Sequence, residues 1–402
     1  MDTITIGDVE RARERAAGVV KTTPLDRSET FTALCGSAIH LKLENAQKTG
    51  SFKVRGAINK ILTLGEDERR RGVITASAGN HAQGVAYGAR IASVPSTVVM
   101  PEAASFSKVA AASGYGAKVV LHGRDYAEAQ AKAREIAAAE GLTFVHAFDD
   151  AAVIAGQGTV ALEILEQLPD VDTVVVPVGG GGLLAGMITA LRGRGSRARI
   201  VAVQAEGASS LGPSMRAGHR VELSSVDTIA DGLATRAVGE LPFAVAAREV
   251  DLVVEVSDAE IADAVLLLLE RAKTVVEGAG AVGLAACLTE RLPANARQVA
   301  VVVSGGNIDM NLLDRIISLG LAQEGRFLRF STRLADRPGE LQRLVTCIAG
   351  CRANIHQIHH ERSQPGLALT SASVTLDLET RGREHIADIR RALAEAGFSL
   401  AE

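Results

Sequence analysis

Lys53 lies between a glycine–serine turn, Gly50-Ser51, and the beginning of a predicted helix, directly after Phe52. Burial beside an aromatic ring and a nearby helix terminus would both lower the pKa of this amine, which favours its neutral form. A neutral lysine amine is the nucleophile that bonds covalently to an aldehyde. A lysine chosen at random is most often a solvated surface group, but this setting predicts that Lys53 is a covalent anchor for a cofactor aldehyde.

Three glycine-bearing turns each lead into a predicted helix. The first precedes Lys53, the second is Ser77–His81 and the third is the run Gly179–Gly182. The beginning of a helix exposes N–H groups and carries partial positive charge, and glycine lets an anion approach the backbone closely. Three such turns therefore predict a ligand with more than one anionic group, for example a phosphate and a carboxylate.

A dinucleotide site is the alternative interpretation of the glycine run. Gly180, Gly182 and Ala185 fit the pattern G-x-G-x-x-A. Glu206 follows the next strand, roughly where an acid that binds ribose would lie. A nicotinamide enzyme has no use for a lysine in this setting, so Lys53 favours an aldehyde cofactor whose phosphate is bound by the four glycines.

Short aliphatic strands alternate with helical patterns along most of the chain, which predicts an α/β fold with parallel sheets buried on both faces. The predicted strands are Ala38–Leu43, Val73–Thr75, Thr97–Met100, Lys118–Leu121, Thr143–Val145, Thr173–Val178, Arg199–Gln204, Leu252–Val256 and Gln298–Val303. The predicted helices are Phe52–Leu64, Asn80–Ile91, Phe106–Ala112, Tyr126–Ala139, Gly158–Gln167 and Leu183–Arg192. After Gly325 the order becomes βαββαβ, which predicts a ferredoxin-like unit and a domain boundary near residues 321–326.

The composition argues against several classes of protein. A formal charge of −4 and a pI near 6.2 argue against nucleic acid as the main partner. The longest apolar runs are far shorter than a membrane span, and the first residues lack the apolar region of a signal peptide. The scattered cysteines favour reduced thiols and are Cys35, Cys287, Cys347 and Cys351. We therefore expect a soluble, cytoplasmic protein of two or three domains.

Six motifs together resemble the threonine/serine dehydratases (ammonia-lyases) of the type II, or tryptophan-synthase-β-like, pyridoxal phosphate fold. They are KTGSFKVRGA, SAGNHAQGVA, VPVGGGGLLAG, VDTIADGLA, VVEGAGA and SGGN, in order over roughly residues 5–320. The tail, with DRPGELQRL and ANIHQIHHE, resembles an ACT regulatory domain. The resemblance implies a catalytic domain at 1–322, followed by an ACT-like domain at 326–402. A smaller subdomain, at about 46–150, would be inserted into a larger one formed by 1–45 and 151–322.

The resemblance also implies roles for matching positions. Lys53 would hold pyridoxal 5'-phosphate and, once released by the substrate, remove the α-proton. The other implied cofactor contacts are Phe52, Asn80 at the ring hydroxyl, Gly179, Gly180, Gly181 and Gly182 at the phosphate, Ser304 at the pyridine nitrogen, and Gly232 and Glu277 near the ring. The substrate carboxylate would bind the loop of Ser77, Ala78, Gly79, Asn80 and His81.

The implied reaction is deamination of L-threonine to 2-oxobutanoate and ammonia, with L-serine giving pyruvate. A neutral hydroxyl at Ser304 would favour β-elimination, because it does not force the ring to protonate. Serine racemase and 3-hydroxyaspartate ammonia-lyase are alternatives on the same scaffold, and a non-catalytic amino-acid-binding regulator is an alternative of another class. Ala78 disfavours racemisation, because the racemase has a proton-donating serine there. The racemase-like metal site looks incomplete, with Glu206 as one candidate ligand but Ser210 and Gly212 after it.

ACT domains pair edge to edge and bind small amino acids at the interface. By that resemblance, the turn containing Asp336, Pro338 and Gly339 would open an effector pocket, with the region of Asn354 opposite. Isoleucine or valine would be the effector, which would fit a role in isoleucine biosynthesis. The tail could instead serve only to hold subunits together, and we expect a homodimer or homotetramer.

Overall fold

A computed structural model of the chain describes residues 4–363 and 365–401. The chain forms two compact units, a larger one at Met1–Asp309 and a smaller one at Met310–Glu402. Among the described residues, no helix combines the length and the apolar character that crossing a membrane requires.

The described part of the larger unit contains two sheets. Its strands are β1 Leu25–Ser28, β2 Ala38–Leu43, β3 Val73–Ala76, β4 Ser96–Met100, β5 Lys118–Leu121, β6 Thr143–Phe144, β7 Thr173–Pro177, β8 Arg199–Ala205, β9 Leu252–Val256 and β10 Gln298–Val303. One sheet has the order β1-β2-β10-β7-β8-β9 and the other the order β5-β4-β3-β6. Every pairing is parallel except that of β1 with β2. The predicted α/β class with parallel sheets is therefore confirmed, with β1 as an antiparallel edge strand.

Helices cover these sheets. They are α1 Ile6–Arg15, α2 Glu29–Cys35, α3 Lys53–Leu62, α4 Glu66–Arg71, α5 Asn80–Ile91, α6 Phe106–Gly114, α7 Tyr126–Glu140, α8 Ala151–Gln167, α9 Gly182–Gly193, α10 Leu211–Ala217, α11 Glu240–Glu249, α12 Asp258–Arg271 and α13 Gly278–Leu288. Helix α8 begins seven residues before its predicted start, because the Asp150 carboxylate accepts hydrogen bonds from the N–H groups of Ala152 and Val153. An acidic N-cap of this kind satisfies N–H groups that have no partner within the helix.

Glycines let three helices approach closely. A Cβ on Gly156 of α8 would lie 2.5 Å from the carbonyl oxygen of Arg55 in α3. On the same helix, a Cβ on Gly158 would lie 2.6 Å from the carbonyl oxygen of Gly186 in α9. Because neither position has room for a side chain, α8 holds α3, which begins at Lys53, close to α9, which begins at the glycine run.

The carboxyl ends of the strands supply the loops that carry the predicted motifs. Strand β3 leads into Ser77–His81, β7 into Gly179–Gly182 and β10 into Ser304–Asn307. In open α/β sheets, ligands bind outside the carboxyl ends of the parallel strands. These loops are therefore the expected ligand-binding region of the larger unit.

The smaller unit has the element order that the sequence predicts. Its elements are α14 Met310–Gln323, β11 Phe327–Ala335, α15 Glu340–Gly350, β12 Asn354–Glu361, β13 Ser371–Glu379, α16 Arg383–Glu395 and β14 Leu400–Ala401. The strands form an antiparallel sheet in the order β12-β13-β11-β14. Buried Phe330, Leu344, Leu376 and Ile389 form part of its own core. Helix α14 groups with this unit, which begins at Met310.

Candidate active site

Lys53 is the first residue of α3, and its amino group points inward. The amino group donates a hydrogen bond to the carbonyl oxygen of Ala147 at 3.0 Å and lies 5.1 Å from the centre of the Phe52 ring. Burial lowers the pKa of Lys53 to about 8, against an opposing effect of the Glu277 carboxylate. Roughly a tenth to a fifth of this lysine is therefore neutral near physiological pH, far more than for a solvated lysine, and the neutral amine is the nucleophilic form.

A buried cluster of four charged side chains anchors the beginning of α3. The Arg55 guanidinium donates to both oxygens of Glu44 at 2.8 Å and to Glu163 on α8 at 2.6 Å. Lys42 on β2 donates to the other oxygen of Glu163 at 2.6 Å. Two positive and two negative charges balance, and each is hydrogen-bonded to a partner of opposite sign, which is what makes buried ions tolerable. The cluster joins β2, α3 and α8 two residues after Lys53.

The loop Ser77–His81 is fixed largely by its own polar groups. The Ser77 hydroxyl accepts a hydrogen bond from the Gly79 N–H at 3.2 Å, and the Asn80 amide nitrogen donates to Glu277 Oε1 at 2.5 Å. Burial lowers the pKa of His81 to about 3, so its ring is neutral. Because Nε2 of His81 donates to the carbonyl oxygen of Val145 at 3.0 Å, Nδ1 is left as a buried acceptor with no partner among the described residues.

Glu277 joins two other loops to the site. It is the N-cap residue of α13, and burial raises the pKa of its carboxyl to about 7. A Cβ on Gly232 would lie 3.8 Å from Glu277 Oε1. A Cβ on Gly305 would overlap the same oxygen, so the backbone at Gly305 packs directly against the carboxyl. The structure thus brings Asn80, Gly232 and Glu277 together, as the sequence predicts.

The glycine run is held tightly while leaving helix N–H groups available. Gly181 is the N-cap of α9 at φ +87° and has no side chain that could accept from the helix N–H groups. A Cβ on Gly179 would lie 2.9 Å from Cα of Leu233, and a Cβ on Gly180 would overlap the ring of Phe148. The first N–H groups of a helix have no partner within it, so this end of α9 fits an anionic group such as a phosphate.

Ser304 is the first residue after β10 and is 2% exposed. Its hydroxyl donates to the carbonyl oxygen of Ala279 at 3.2 Å, and its own carbonyl oxygen accepts from the N–H of Phe52 at 3.1 Å. The structure therefore connects Ser304 directly to the loop that carries Lys53. An amine of lowered pKa together with an open helix N-terminus fits a cofactor that bears both an aldehyde and a phosphate.

Sequence reasoning missed four residues that contribute to this site. Ala147 and Phe148 follow β6 and contact Lys53 and Gly180, and no motif distinguishes them in the sequence. Asn307 contacts Asn80, and the signal that could have found it is its place at the end of the SGGN motif. Glu163, the partner of Arg55, is 108 residues away along the chain, and pairing at that separation leaves no local pattern.

The weak metal candidate is not part of a recognisable metal centre. Glu206 is exposed, and a Cβ on Gly212 would lie 3.3 Å from Oε1 of Glu255. The Ser210 hydroxyl is buried without a partner among the described residues. Throughout residues 4–363 and 365–401, no group of three or more His, Cys, Asp or Glu side chains is arranged to hold a metal ion.

The predicted regulatory residues separate in the smaller unit. Pro338 and Gly339 line a groove whose other lining residues include Arg337, Glu340, Arg343, Cys347 and Phe398. Asp336 forms an ion pair with Arg362 at 3.1 Å. Asn354 lies outside the lining of this groove among the described residues and donates to the carboxylate of Glu379 at 3.0 Å.

Known proteins resemble this chain in sequence and in fold. The family model described as "Pyridoxal-phosphate dependent enzyme" matches residues 17–305. An L-threonine ammonia-lyase of Thermotoga maritima is 46% identical over 397 residues, which are 99% of each chain. An L-threonine ammonia-lyase of Geobacter sulfurreducens is 44% identical over 97% of each chain. The solved structure of maize serine racemase superposes with a TM-score of 0.76 at 35% identity, covering 81% of this chain and all of that one.

Proposed function

The chain belongs to the pyridoxal-phosphate dependent enzyme family, and we propose that within this family it is an L-threonine ammonia-lyase. It converts L-threonine to 2-oxobutanoate and ammonia and acts on L-serine as a side activity, giving pyruvate. The observation that carries the proposal is the buried amine of Lys53, with its pKa lowered to about 8, at the beginning of α3. Similarity to the two L-threonine ammonia-lyases over nearly the whole chain supports threonine as the main substrate.

Lys53 performs the proton chemistry. When bound, pyridoxal phosphate supplies an aldehyde that bonds to amines and a ring that accepts the electron pair of the α-carbon. Lys53 would hold the cofactor through its amino group. With that amino group free, its neutral form would take the α-proton, which an amine at a pKa of about 8 can accept near physiological pH.

The surrounding residues bind and orient. The N–H groups at the beginning of α9, after the run Gly179–Gly182, bind the phosphate. The loop of Ser77, Ala78, Gly79, Asn80 and His81 binds the substrate carboxylate, with the Asn80 amide directed to the ring hydroxyl. Ser304 would face the pyridine nitrogen with a neutral hydroxyl, which would leave the ring unprotonated and favour elimination. Phe52, Gly232 and Glu277 complete the contacts near the ring.

Serine racemase is the second candidate, and the specific observation in its favour is the likeness to the maize enzyme. Racemisation needs a second group that delivers a proton to the opposite face of the α-carbon. Ala78 stands in the loop where the racemase has a serine, and a methyl group carries no proton. We therefore rank elimination above racemisation. A 3-hydroxyaspartate ammonia-lyase remains an alternative for substrate choice, and a non-catalytic regulator would not need Lys53.

A panel of hydroxy-amino acids tests the proposal. Purified holoenzyme is incubated with L-threonine, L-serine and 3-hydroxyaspartate, and oxo-acid and ammonia are measured together with the chirality of the remaining amino acid. We expect L-threonine to be the best substrate and to release equal amounts of both products. Formation of D-serine without oxo-acid would instead favour the racemase, and preference for 3-hydroxyaspartate would reassign the substrate.

We further propose that residues 326–402 form an ACT-like regulatory domain that binds a small amino acid such as isoleucine or valine. Its βαββαβ order and the groove beside Pro338 and Gly339 support the proposal. In the groove, the guanidinium groups of Arg337 and Arg343 each donate to Glu340 at 2.8 Å and so bring positive charge to its wall. Domain limits at 1–322 and 326–402 are part of this proposal.

Effector titrations test the regulatory proposal. We expect isoleucine or valine to change threonine turnover of the full-length enzyme and expect Arg343→Ala to weaken that response. Arg333→Ala is the matched control, because Arg333 is exposed on β11 and lies outside the groove lining. Turnover that is indifferent to both amino acids would leave the smaller unit with an assembly role only.

The remaining proposals concern the oligomeric state and the cellular location of the enzyme. We propose a homodimer or homotetramer, which sedimentation of the purified protein measures directly. The cysteines are free thiols, Cys35, Cys287, Cys347 and Cys351, which is compatible with a reducing cytoplasmic location.

A further inference from the structure

Asn307 connects two loops of the active site through one side chain. Its amide nitrogen donates to the carbonyl oxygen of Thr49 at 2.8 Å and to Oδ1 of Asn80 at 2.6 Å. Thr49 belongs to the loop before Lys53, and Asn80 begins α5. A Cβ on Gly50 would lie 2.7 Å from Oδ1 of Asn307, so the loop also packs closely against this amide.

The hydrogen bonds fix which way each amide faces. A backbone carbonyl oxygen only accepts, so the atom of Asn307 that faces Thr49 must be the nitrogen. The second hydrogen of that nitrogen then requires an acceptor, which makes Oδ1 of Asn80 the atom on that side. The nitrogen of Asn80 consequently faces Glu277, to which it donates at 2.5 Å. Each hydrogen bond from Asn307 through Asn80 to Glu277 therefore has a fixed donor and a fixed acceptor, and the Thr49 carbonyl determines which atom has which role.

An asparagine side chain without such a neighbour can rotate its amide by a half turn, which exchanges donor and acceptor. For Asn80 this exchange would present an oxygen to the Glu277 carboxyl and to the cofactor. When Glu277 is ionised, an Asn80 oxygen facing its carboxylate is repelled, whereas the observed orientation offers a donor to both. The orientation of the Asn80 amide therefore matters for binding, and Asn307 is placed to determine it.

We propose that Asn307 is a positioning residue that locks the Asn80 amide with its nitrogen toward the cofactor ring and Glu277. The inference rests on the proposed function, since Asn80 is there assigned to the ring hydroxyl of pyridoxal phosphate. Asn307 itself contacts the loop 49–50 and Asn80, and it acts on the cofactor through Asn80.

A double-substitution cycle on the full-length protein tests this inference. The affinity of the apoprotein for pyridoxal phosphate and the visible absorption of the bound cofactor are measured for Asn307→Ala, for Asn80→Ala and for both together. We expect Asn307→Ala alone to raise the Kd about tenfold, the scale of one lost positioning hydrogen bond, and to shift the visible band. In the Asn80→Ala background, the same substitution should change the Kd by less than about twofold, because residues in one network are not additive.

Equal losses of affinity in both backgrounds would overturn the inference, since Asn307 would then act through the loop at Thr49 and not through Asn80. An unchanged Kd and band for Asn307→Ala would overturn it as well. Asn307→Asp provides a second variant of the same size that removes both donors, and unfolding of both variants would assign Asn307 to the stability of the fold instead.

Asn45→Ala is the matched control. Asn45 also bridges loops through its amide nitrogen, which donates to Thr274 Oγ1 at 2.6 Å and to the carbonyl oxygen of Val275 at 3.0 Å. Among the described residues Asn45 forms no hydrogen bond with Asn80, so Asn45→Ala should leave the visible band unchanged, and a band shift equal to that of Asn307→Ala would contradict the assignment. A wild-type protein that binds no pyridoxal phosphate would refute the proposed function itself, which distinguishes the two failures.

Discussion

Lys42, which is buried, and Lys53, which is half-buried, lie eleven positions apart in this chain, and their amino groups differ in their hydrogen-bond partners. The amino group of Lys42 has three oxygen partners, on Thr23 at 2.7 Å, Glu163 at 2.6 Å and Gln167 at 2.9 Å. The amino group of Lys53 has one hydrogen-bond partner among the described residues, the carbonyl oxygen of Ala147 at 3.0 Å. Each of the three hydrogens of the Lys42 ammonium group therefore has an acceptor, whereas the amino group of Lys53 can form further bonds.

Burial alone does not identify a reactive lysine. It lowers the pKa of Lys42, with Glu163 opposing, just as it lowers that of Lys53. An ammonium group donates three hydrogen bonds, and Lys42 uses all three within an ion cluster, so its charge is stabilised in place. Lys53 has no carboxylate as a hydrogen-bond partner among the described residues, and its neutral form is therefore accessible for covalent chemistry. The set of partners distinguishes a structural lysine from a chemical one.

Among the substitutions that test this difference between Lys42 and Lys53, Lys53→Ala should have the largest effect. Without the amine there is neither a covalent anchor nor an acceptor for the α-proton, so threonine deamination should fall by at least about a thousandfold. The visible band of the bound cofactor should be lost, as measured by absorption spectroscopy alongside 2-oxobutanoate release.

Lys48→Ala is the control for that loss, because Lys48 is an exposed lysine five residues earlier in the chain. It should keep the activity and spectrum of the wild type. Substantial turnover by Lys53→Ala would show that the reaction does not require Lys53, and the proposed difference in role between Lys53 and Lys42 would then be wrong.

Lys42→Met should affect stability in place of chemistry. It removes one partner of the buried Glu163 carboxylate, and breaking a buried ion pair costs about 3–5 kcal/mol. The free energy of unfolding, measured with denaturant, should fall by that order, while the folded variant still binds the cofactor with an unchanged visible band. Loss of the band in a variant that remains folded would show that the two lysines are not separate in role.

Arg55→Lys should give a smaller loss of stability. The charge is kept, but a lysine cannot donate to both oxygens of Glu44 as the guanidinium does at 2.8 Å. We expect the free energy of unfolding to fall by about 2 kcal/mol, in line with hydrogen bonds to charged groups. Denaturant unfolding measures it, and an unchanged midpoint would mean that the cluster does not depend on the guanidinium fork.

The pH dependence of cofactor uptake should show the smallest effect. Only the neutral form of Lys53 reacts, and its pKa is lowered to about 8, so the reactive fraction grows as the pH rises through that value. Between pH 7 and pH 9 the rate of covalent uptake by the apoprotein should rise about tenfold and then level off. A rate that still climbs about tenfold per pH unit from pH 8 to pH 10 would indicate a solvated lysine.

Much of the fold could be predicted because it depends on local patterns. Aliphatic runs bounded by turns located strands such as β9 and β10 at their observed limits, and the strand–glycine–helix order located the run at Gly179. Lys53 could be singled out because its neighbours in sequence, Phe52 and the turn before it, are also its neighbours in space. Where chemistry depends on adjacent residues, sequence reasoning succeeds.

The rest depends on contacts between distant residues. Glu163 joins Arg55 across 108 positions, and Asn307 joins Asn80 across 227. The antiparallel pairing of β1 with β2 and the approach of Phe148 to the glycine run likewise follow from packing and leave no periodic signal. The first residues of α8 were not predicted, because Asp150 caps the helix within an apolar, glycine-containing stretch that does not clearly indicate a helix.

Chemical trapping tests the central claim most directly. Holoenzyme is reduced with borohydride, which fixes the cofactor to its lysine, and the protein is then digested and its peptides are mapped by mass spectrometry. The account predicts one cofactor per chain, on the peptide that contains Lys53. A label on Lys42 or on any other lysine, or no label at all, would contradict it.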